Sequence, residues 1–409
     1  MRKLQTIKIT SAVLLTSCIT MAQAAVSEQQ ASELGKSLTP MGGIIAGNTE
    51  GTIPRWEGGI KQPPANIGYE GSGKHHTNPF ADDKAKFSIN AQNLSQYADK
   101  LTPGIQEMLK QNPETLWLPI YETRRTHASP EWVNANTRNN AVSAQLVDQG
   151  NGVDHAFGGI PFPIPQNGNE AMFNLLLRWQ GENKVENVDG LVVSRTGGKT
   201  RLGDHFTLNF PYYREHGKAE DFKGEYWMIL DRIKLPTRQK GEMVVSRDPT
   251  NYTKGVRTSY QYIPGQRRVR RAPTVGFDTP VGGTNGLLTF DDSMMFNGSP
   301  ELYNWNLVGK KEMYIPYNNY KLGSPEYRYE DLVTDKHIKP ELDRWELHRV
   351  WVVEGTLKEV KRHVYAKRTY YLDEDSWAPV LGDSYDGRGQ LWRTKVGYNR
   401  NAYELPGVV

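Results

Sequence analysis

From Val185 to Tyr398 the hydrophobic pattern repeats every second residue, and this period constrains the fold more than any other feature of the chain. Runs of alternating apolar and polar residues cover 185–194, 205–213, 226–235, 257–263, 266–272, 302–308, 312–317, 345–354, 363–372, 377–385 and 390–398. Short turn sequences such as Asp386-Gly387-Arg388-Gly389 separate the last four, which predicts a meander of antiparallel strands. Trp345, Leu347, Arg349, Trp351 and Val353 fall on one face of such a strand, and Trp392, Thr394, Val396 and Tyr398 on one face of another. Aromatics repeated on sheet faces suit a curved sheet wrapped around apolar contents.

Residues 289–317 predict a β-hairpin. Tyr303, Trp305 and Leu307 alternate with Asn304 and Asn306, and Met313 and Ile315 flank Tyr314. Asn297-Gly298-Ser299-Pro300 is turn chemistry, and Gly309-Lys310-Lys311 reads as a tight reversal between the two runs.

Ahead of the strands the chain is helix- and loop-rich. Helices are predicted over 25–38, with Ser27 as its cap, over 91–111 as one helix or two broken at Thr102-Pro103-Gly104, over 130–147, and over 167–181. Residues 39–90 carry Pro63-Pro64 and many glycines and read as extended chain tied down by Trp56, Tyr69 and Phe80.

The first 24 residues read as an export signal. Arg2, Lys3 and Lys8 precede a short apolar run, and Ala22-Gln23-Ala24 is a small-x-small cleavage site. The expected mature chain starts at Ala25 and works in the periplasm. Leu15-Thr16-Ser17-Cys18 also has the form of a lipobox, so a lipoprotein anchored at Cys18 is the alternative. Cys18 is the only cysteine, so ordinary cleavage removes disulfide, thiolate-metal and thiol-nucleophile chemistry together. The formal charge of +4 includes the three basic residues of the leader, which holds no acid. Without them 47 basic residues face 46 acidic ones, a balance that gives no footprint for nucleic acid. The expected organisation is a signal peptide over 1–24, a helix/loop-rich region over 25–184 packed on the sheet, and an antiparallel β region over 185–409, truncated at its C-terminal end.

Longer stretches carry a resemblance. Ser37-Leu38-Thr39-Pro40, Gly51-Thr52-Ile53-Pro54-Arg55-Trp56, Asn78-Pro79-Phe80-Ala81-Asp82 and Gln96-Tyr97-Ala98-Asp99-Lys100-Leu101 occur in order. So do Gly158-Gly159-Ile160-Pro161-Phe162-Pro163-Ile164-Pro165 and Tyr262-Ile263-Pro264-Gly265-Gln266-Arg267-Arg268-Val269-Arg270-Arg271-Ala272-Pro273. In these the chain resembles a Gram-negative envelope family, domain of unknown function 1329, often labelled outer membrane lipoprotein-sorting protein. The resemblance implies a fold like that of the LolA/LolB periplasmic lipoprotein carriers. That fold is mainly β (α+β), a curved incomplete antiparallel β-barrel with helices closing a hydrophobic cavity, here preceded by an irregular region.

Motifs of catalysis are weak. Gly197-Gly198-Lys199-Thr200 lacks the first glycine of a phosphate-binding loop, since Val193 holds that position, and reads as a strand-to-strand turn. The nine histidines are scattered, and His348 and His363 on candidate strands suit hydrogen-bonded structural roles; no metal or cofactor is expected. Asp291-Asp292 lacks calcium-loop spacing, and adjacent side chains on extended backbone point apart, so turn capping is favoured over a catalytic pair. Gly158 to Pro165 is a stiff extended segment, either a lid or partner-docking strap or simply chain covering the core.

Two features carry the expected function. Trp305, Trp345, Trp351, Trp392 and Tyr398 are the candidate ligand-binding residues of an apolar cavity. Arg267, Arg268, Arg270 and Arg271 are candidates for contact with an anionic head group or an acidic partner, against a bland reading as a solvated strand edge. The function expected is that of a non-catalytic periplasmic carrier for a hydrophobic small molecule, lipid or lipoprotein-like cargo. It would work between an inner-membrane transporter and an outer-membrane partner, without nucleic acid. The alternative is a periplasmic carbohydrate-binding protein or hydrolase that uses the aromatic sheet faces.

Overall fold

A computed structural model describes residues 26–65, 67–272 and 276–409. The expectations for the export signal and for Cys18 lie outside the described residues.

Helix starts follow the sequence closely because short polar side chains satisfy the free N–H groups. Ser27 and Gln30 form a capping box for α1 (Glu28–Ala31), which ends well before the expected residue 38. After β1 (Phe87–Ile89), 91–111 resolves into two single 3₁₀ turns and then α2 (Pro103–Gln111), whose Ile105 N–H donates to Thr102 Oγ1 at 3.2 Å. β2 (Leu118–Ile120) follows, then α3 (Glu131–Ser143), with Pro130 just before it. A small hairpin of β3 (Gln145–Val147) and β4 (Gly152–Asp154) leads to α4 (Gly168–Leu176), capped by Asn167.

The segment of Ile160 to Pro165 runs between α3 and α4 as chain covering the core. Ile160 and Phe162 are buried, and Asn174 clamps both backbone groups of Phe162 at 2.9 and 2.6 Å.

The chain is mainly β, as expected, but among the described residues its long strands form two sheets instead of one. The first is a six-stranded antiparallel meander of β5 (Asn183–Val193), β6 (Lys199–Asn209), β7 (Glu225–Leu235), β8 (Met243–Pro249), β9 (Thr258–Ile263) and β10 (Arg268–Arg271). The second centres on β11 (Tyr303–Pro316), β12 (Trp345–Leu357), β13 (Lys367–Asp373), β14 (Pro379–Tyr385) and β15 (Leu391–Val396), with β1 and β2 at one end. The division has a local cause. β10 pairs only with β9 and β11 only with β12, so no ladder crosses from one sheet to the other. The meander expected for the last four strands is present, as is the turn at Gly197 and Gly198 between β5 and β6.

The expected hairpin at 303–317 is corrected. β11 is one continuous strand, and Gly309 marks a β-bulge: the register on β12 shifts between Leu307 and Gly309, at a φ of 124°. A non-glycine residue adopts that φ only at a cost, so the glycine serves the bulge, not a reversal.

The two sheets share a core. Leu208 and Trp227 of the first sheet, Val353, Tyr370 and Leu372 of the second, and Met172, Phe173 and Leu175 of α4 are buried in one cluster. The N-terminal chain is tied to the second sheet. Trp377 Nε1–H donates to the Met41 carbonyl at 2.8 Å, Arg349 donates to that of Ala46 at 2.7 Å, and buried Arg125 pairs with Asp375 at 2.6 Å.

Candidate functional site: a roofed cavity on the six-stranded sheet

Alternation on β6, β7 and β8 sends Leu202, Asp204, Phe206, Leu208, Trp227, Ile229, Asp231, Ile233, Val244 and Ser246 to one face. Over this face lies a cavity of about 510 Å³, roofed by Val281, Phe290 and Met294 from the connection between the two sheets. A second space of about 230 Å³ adjoins it and shares Val244, Ser246, Arg257, Gln261 and Phe290.

The strand register arranges the cavity face in transverse rows. One row runs Glu186, Phe206, Asp231, Val244, Gln261, Arg270 from β5 to β10, and another runs Leu208, Ile229, Ser246, Ser259. The first row thus alternates acids on β5 and β7 with apolar Phe206 and Val244 and ends on arginine at β10, while Leu208 and Ile229 keep the second row apolar over β6 and β7.

Charge inside the cavity is unevenly satisfied. At one end Arg257 forks onto Asp248 with bonds of 2.8 and 2.9 Å and donates to the Asn297 carbonyl at 2.7 Å. Burial lowers the pKa of that guanidinium, but the Asp248 carboxylate outweighs it and the net shift is upward. At the other end Asp231 has an Oδ1 without a hydrogen-bond partner among the described residues. Burial, reinforced by Asp204, pushes its carboxyl up to about 7. Asp204 is raised too, by burial and by Asp189.

The roof is anchored to the second sheet by Asp291 and Asp292. Arg368 Nη1 lies 2.8 Å and His363 Nε2 3.1 Å from Asp291 Oδ2, and Tyr365 Oη–H donates to Asp292 at 2.8 Å. Lys395 pairs with Asp292 as well. Asp292 also accepts the Thr289 N–H at 2.9 Å, the capping role expected for this pair. The buried cations were not foreseen.

The five candidate aromatics stand elsewhere, and none lines this cavity. Trp305 is buried on β11 and donates to the Pro300 carbonyl at 2.9 Å, against Phe296 and Tyr370. Trp345 is buried on β12 and donates to Asp343 at 2.6 Å. Trp351 stacks on Trp377 at 5.7 Å beneath the Lys310 ammonium. Trp392 is half exposed on β15 with Arg393 4.2 Å from its ring, and burial pushes the Tyr398 hydroxyl well above its usual range. Sequence reasoning missed β8 and the aliphatic wall of Leu208, Ile229 and Val244. Alternation within 205–213 and 226–235 was the available signal, and it does not distinguish a cavity wall from packed core.

Arg267 takes a left-handed φ of 52° in the turn before β10, and Arg268, Arg270 and Arg271 lie on that edge strand. All four are exposed, and among the described residues none has an ion-pair partner within 4 Å. His348 and His363 are held by Glu346 and Asp291. Among the described residues no group of three or more His, Cys, Asp or Glu is placed to hold a metal ion. Nor is any helix long and apolar enough to cross a membrane.

The model of the family described as "Protein of unknown function (DUF1329)" matches residues 88–409. The chain belongs to the DUF1329 family. This DUF1329 member is 40% identical over 400 residues to the uncharacterized protein PA3922 of Pseudomonas aeruginosa, covering 97% of this chain and 86% of the relative. Among solved structures it is similar to a Vibrio parahaemolyticus domain provisionally named as an outer membrane lipoprotein-sorting protein. There the TM-score is 0.39 and the identity 14%, over 59% of this chain and 80% of the other. It is also similar to the LolA superfamily protein NE2245 of Nitrosomonas europaea, with a TM-score of 0.31 and 10% identity over 57% of this chain and 78% of the other. At these scores the likenesses add nothing to what the chain's own geometry shows.

Proposed function

We propose that this DUF1329 member is a periplasmic, non-catalytic carrier that takes an apolar ligand into the roofed face of the six-stranded sheet. It would pass that ligand between an inner-membrane exporter and the outer membrane. One observation carries the reading: a cavity of about 510 Å³ walled by Leu202, Phe206, Leu208, Ile229, Ile233 and Val244. Ligand sites commonly enclose about 300–1,000 Å³ and are lined mostly by apolar side chains with a few polar groups. The leader at 1–24 supports export.

Mass spectrometry of organic extracts of the purified protein tests the reading. It predicts an apolar compound that copurifies with the wild type and is lost from a folded Phe206→Asp variant. Equal extracts from the two proteins would contradict it.

A further inference from the structure

The cavity face carries arginine on β10 and carboxyls on β6 and β7, with Glu242 near the arginine end accepting the Gln261 side-chain N–H at 3.2 Å. Arg270 lies directly opposite Gln261, which lines both spaces, and Arg268 lies opposite Ile263 on the same face. Directly paired residues on antiparallel strands have Cα atoms only about 4.5–5.5 Å apart, so Arg268 and Arg270 sit on the edge strand next to the cavity wall, outside its lining. Neither has an acidic ion-pair partner within 4 Å among the described residues. Along the row Asp231 lies three strands away on β7, about 14 Å at the usual strand spacing of about 4.8 Å. With Asp204 it puts carboxyls on that side, while Glu186 beyond them is paired with Lys184 at 2.8 Å.

We propose that Arg268 and Arg270 form a head-group site at the open edge of the cavity, and that the ligand is an anionic amphiphile. Its head lies at β10, and its chain runs over Val244 and Ile229 toward β6. The inference rests on the apolar-ligand reading and adds the charge and direction of the ligand. A guanidinium presents paired N–H donors that match a carboxylate or phosphate, whereas the carboxyls beside Phe206 offer no cation to either group. The two ends therefore act together to fix orientation. Edge arginines also keep a strand from pairing with another chain. That role is met by charge on either face and does not require Arg268 and Arg270 to flank the cavity.

The test uses the full mature chain and displacement of an uncharged apolar dye by palmitate, by the alcohol of the same chain length and by the matched quaternary ammonium. The variants are Arg268→Gln with Arg270→Gln, and a control of Arg267→Gln with Arg271→Gln, of which Arg271 falls on the opposite face by register and Arg267 lies in the turn before β10. The wild type is expected to bind palmitate about tenfold or more tightly than the ammonium. The first pair should lose about that factor for palmitate while keeping its affinity for the alcohol, and the control pair should lose neither. Rising salt should weaken palmitate binding to the wild type and leave the alcohol unaffected. Preference for the ammonium, or undiminished palmitate binding by the first pair, would overturn the head-group site and leave the apolar cavity standing. Failure of all three probes to displace dye would remove the apolar-ligand reading and this inference with it.

Discussion

Arg368 Nη1 lies 2.8 Å from Asp291 Oδ2, and neither side chain has any solvent exposure. One belongs to β13 and the other to the roof of the cavity, so this ion pair fastens the lining of one sheet to the body of the other.

Removing one partner leaves a charge buried without compensation. Asp291→Asn is expected to cost about 3–5 kcal/mol in urea unfolding, and an Asp291→Leu, Arg368→Met double variant less than the single change. Burial pushes the Asp291 carboxyl up, but Arg368 and His363 outweigh it and hold it well below the usual range. The contribution is thus present above about pH 4 and lost as the pH falls. A single variant as stable as wild type would show that the pair does not anchor the roof.

His127 gives a second acid-sensitive contribution with a different window. It is buried, neither ring nitrogen has a partner among the described residues, and burial pushes its pKa down to about 3. Between about pH 3 and the ordinary value of 6.5 the unfolded chain holds a proton that the folded chain does not. Stability should therefore fall as the pH drops through that window. In His127→Phe the slope of melting temperature between pH 6.5 and 4 should be shallower; an unchanged slope would place the sensitivity elsewhere.

Asp231 acts with the opposite sign. Its folded pKa of about 7 lies above the ordinary aspartate value of 3.8, so the folded chain binds the extra proton, and stability falls as the pH rises through that interval. Asp231→Asn should raise the melting temperature at pH 8 and change it little at pH 4. A lower melting temperature at pH 8 would mean that the ionised carboxylate has a stabilising partner.

Gly309 tests the bulge. No heavy atom lies within 4 Å of a Cβ placed there, so a substitution meets only backbone strain. At a φ of 124° Gly309→Ala is expected to cost about 1–3 kcal/mol by chemical denaturation. A neutral outcome would mean that the strand tolerates another backbone path.

Local chemistry made much of the fold legible. Thr102 and Asn167 start helices because their side-chain oxygens accept N–H groups that the helix leaves free. β7 and β14 follow from alternation, within a residue or two of the expected bounds. Gly309 was misread because a glycine with positive φ serves a turn and a bulge alike, and only the partner strand decides which. β8 escaped because Met243 and Val245 on one face match Val244 on the other, leaving little alternation to detect. The division into two sheets depends on what the outer edge of β10 meets, a long-range fact that no local pattern encodes. The site was harder still. Large aromatics such as Trp305 and Trp345 draw the eye, yet their indole N–H groups are satisfied within packed structure, while the cavity wall is built of ordinary aliphatic residues.

Titration of an environment-sensitive apolar dye into wild type, Ile229→Trp and Trp392→Ala proteins tests the central claim most directly. Ile229 lines the cavity, and Trp392 stands half exposed on the other sheet. The account predicts micromolar binding by the wild type, about −8 kcal/mol. Filling the cavity at position 229 should weaken binding at least about tenfold, and removing Trp392 should leave it unchanged. Equal binding by wild type and a folded Ile229→Trp protein, or loss on removing Trp392, would contradict the assignment of the ligand to the six-stranded sheet.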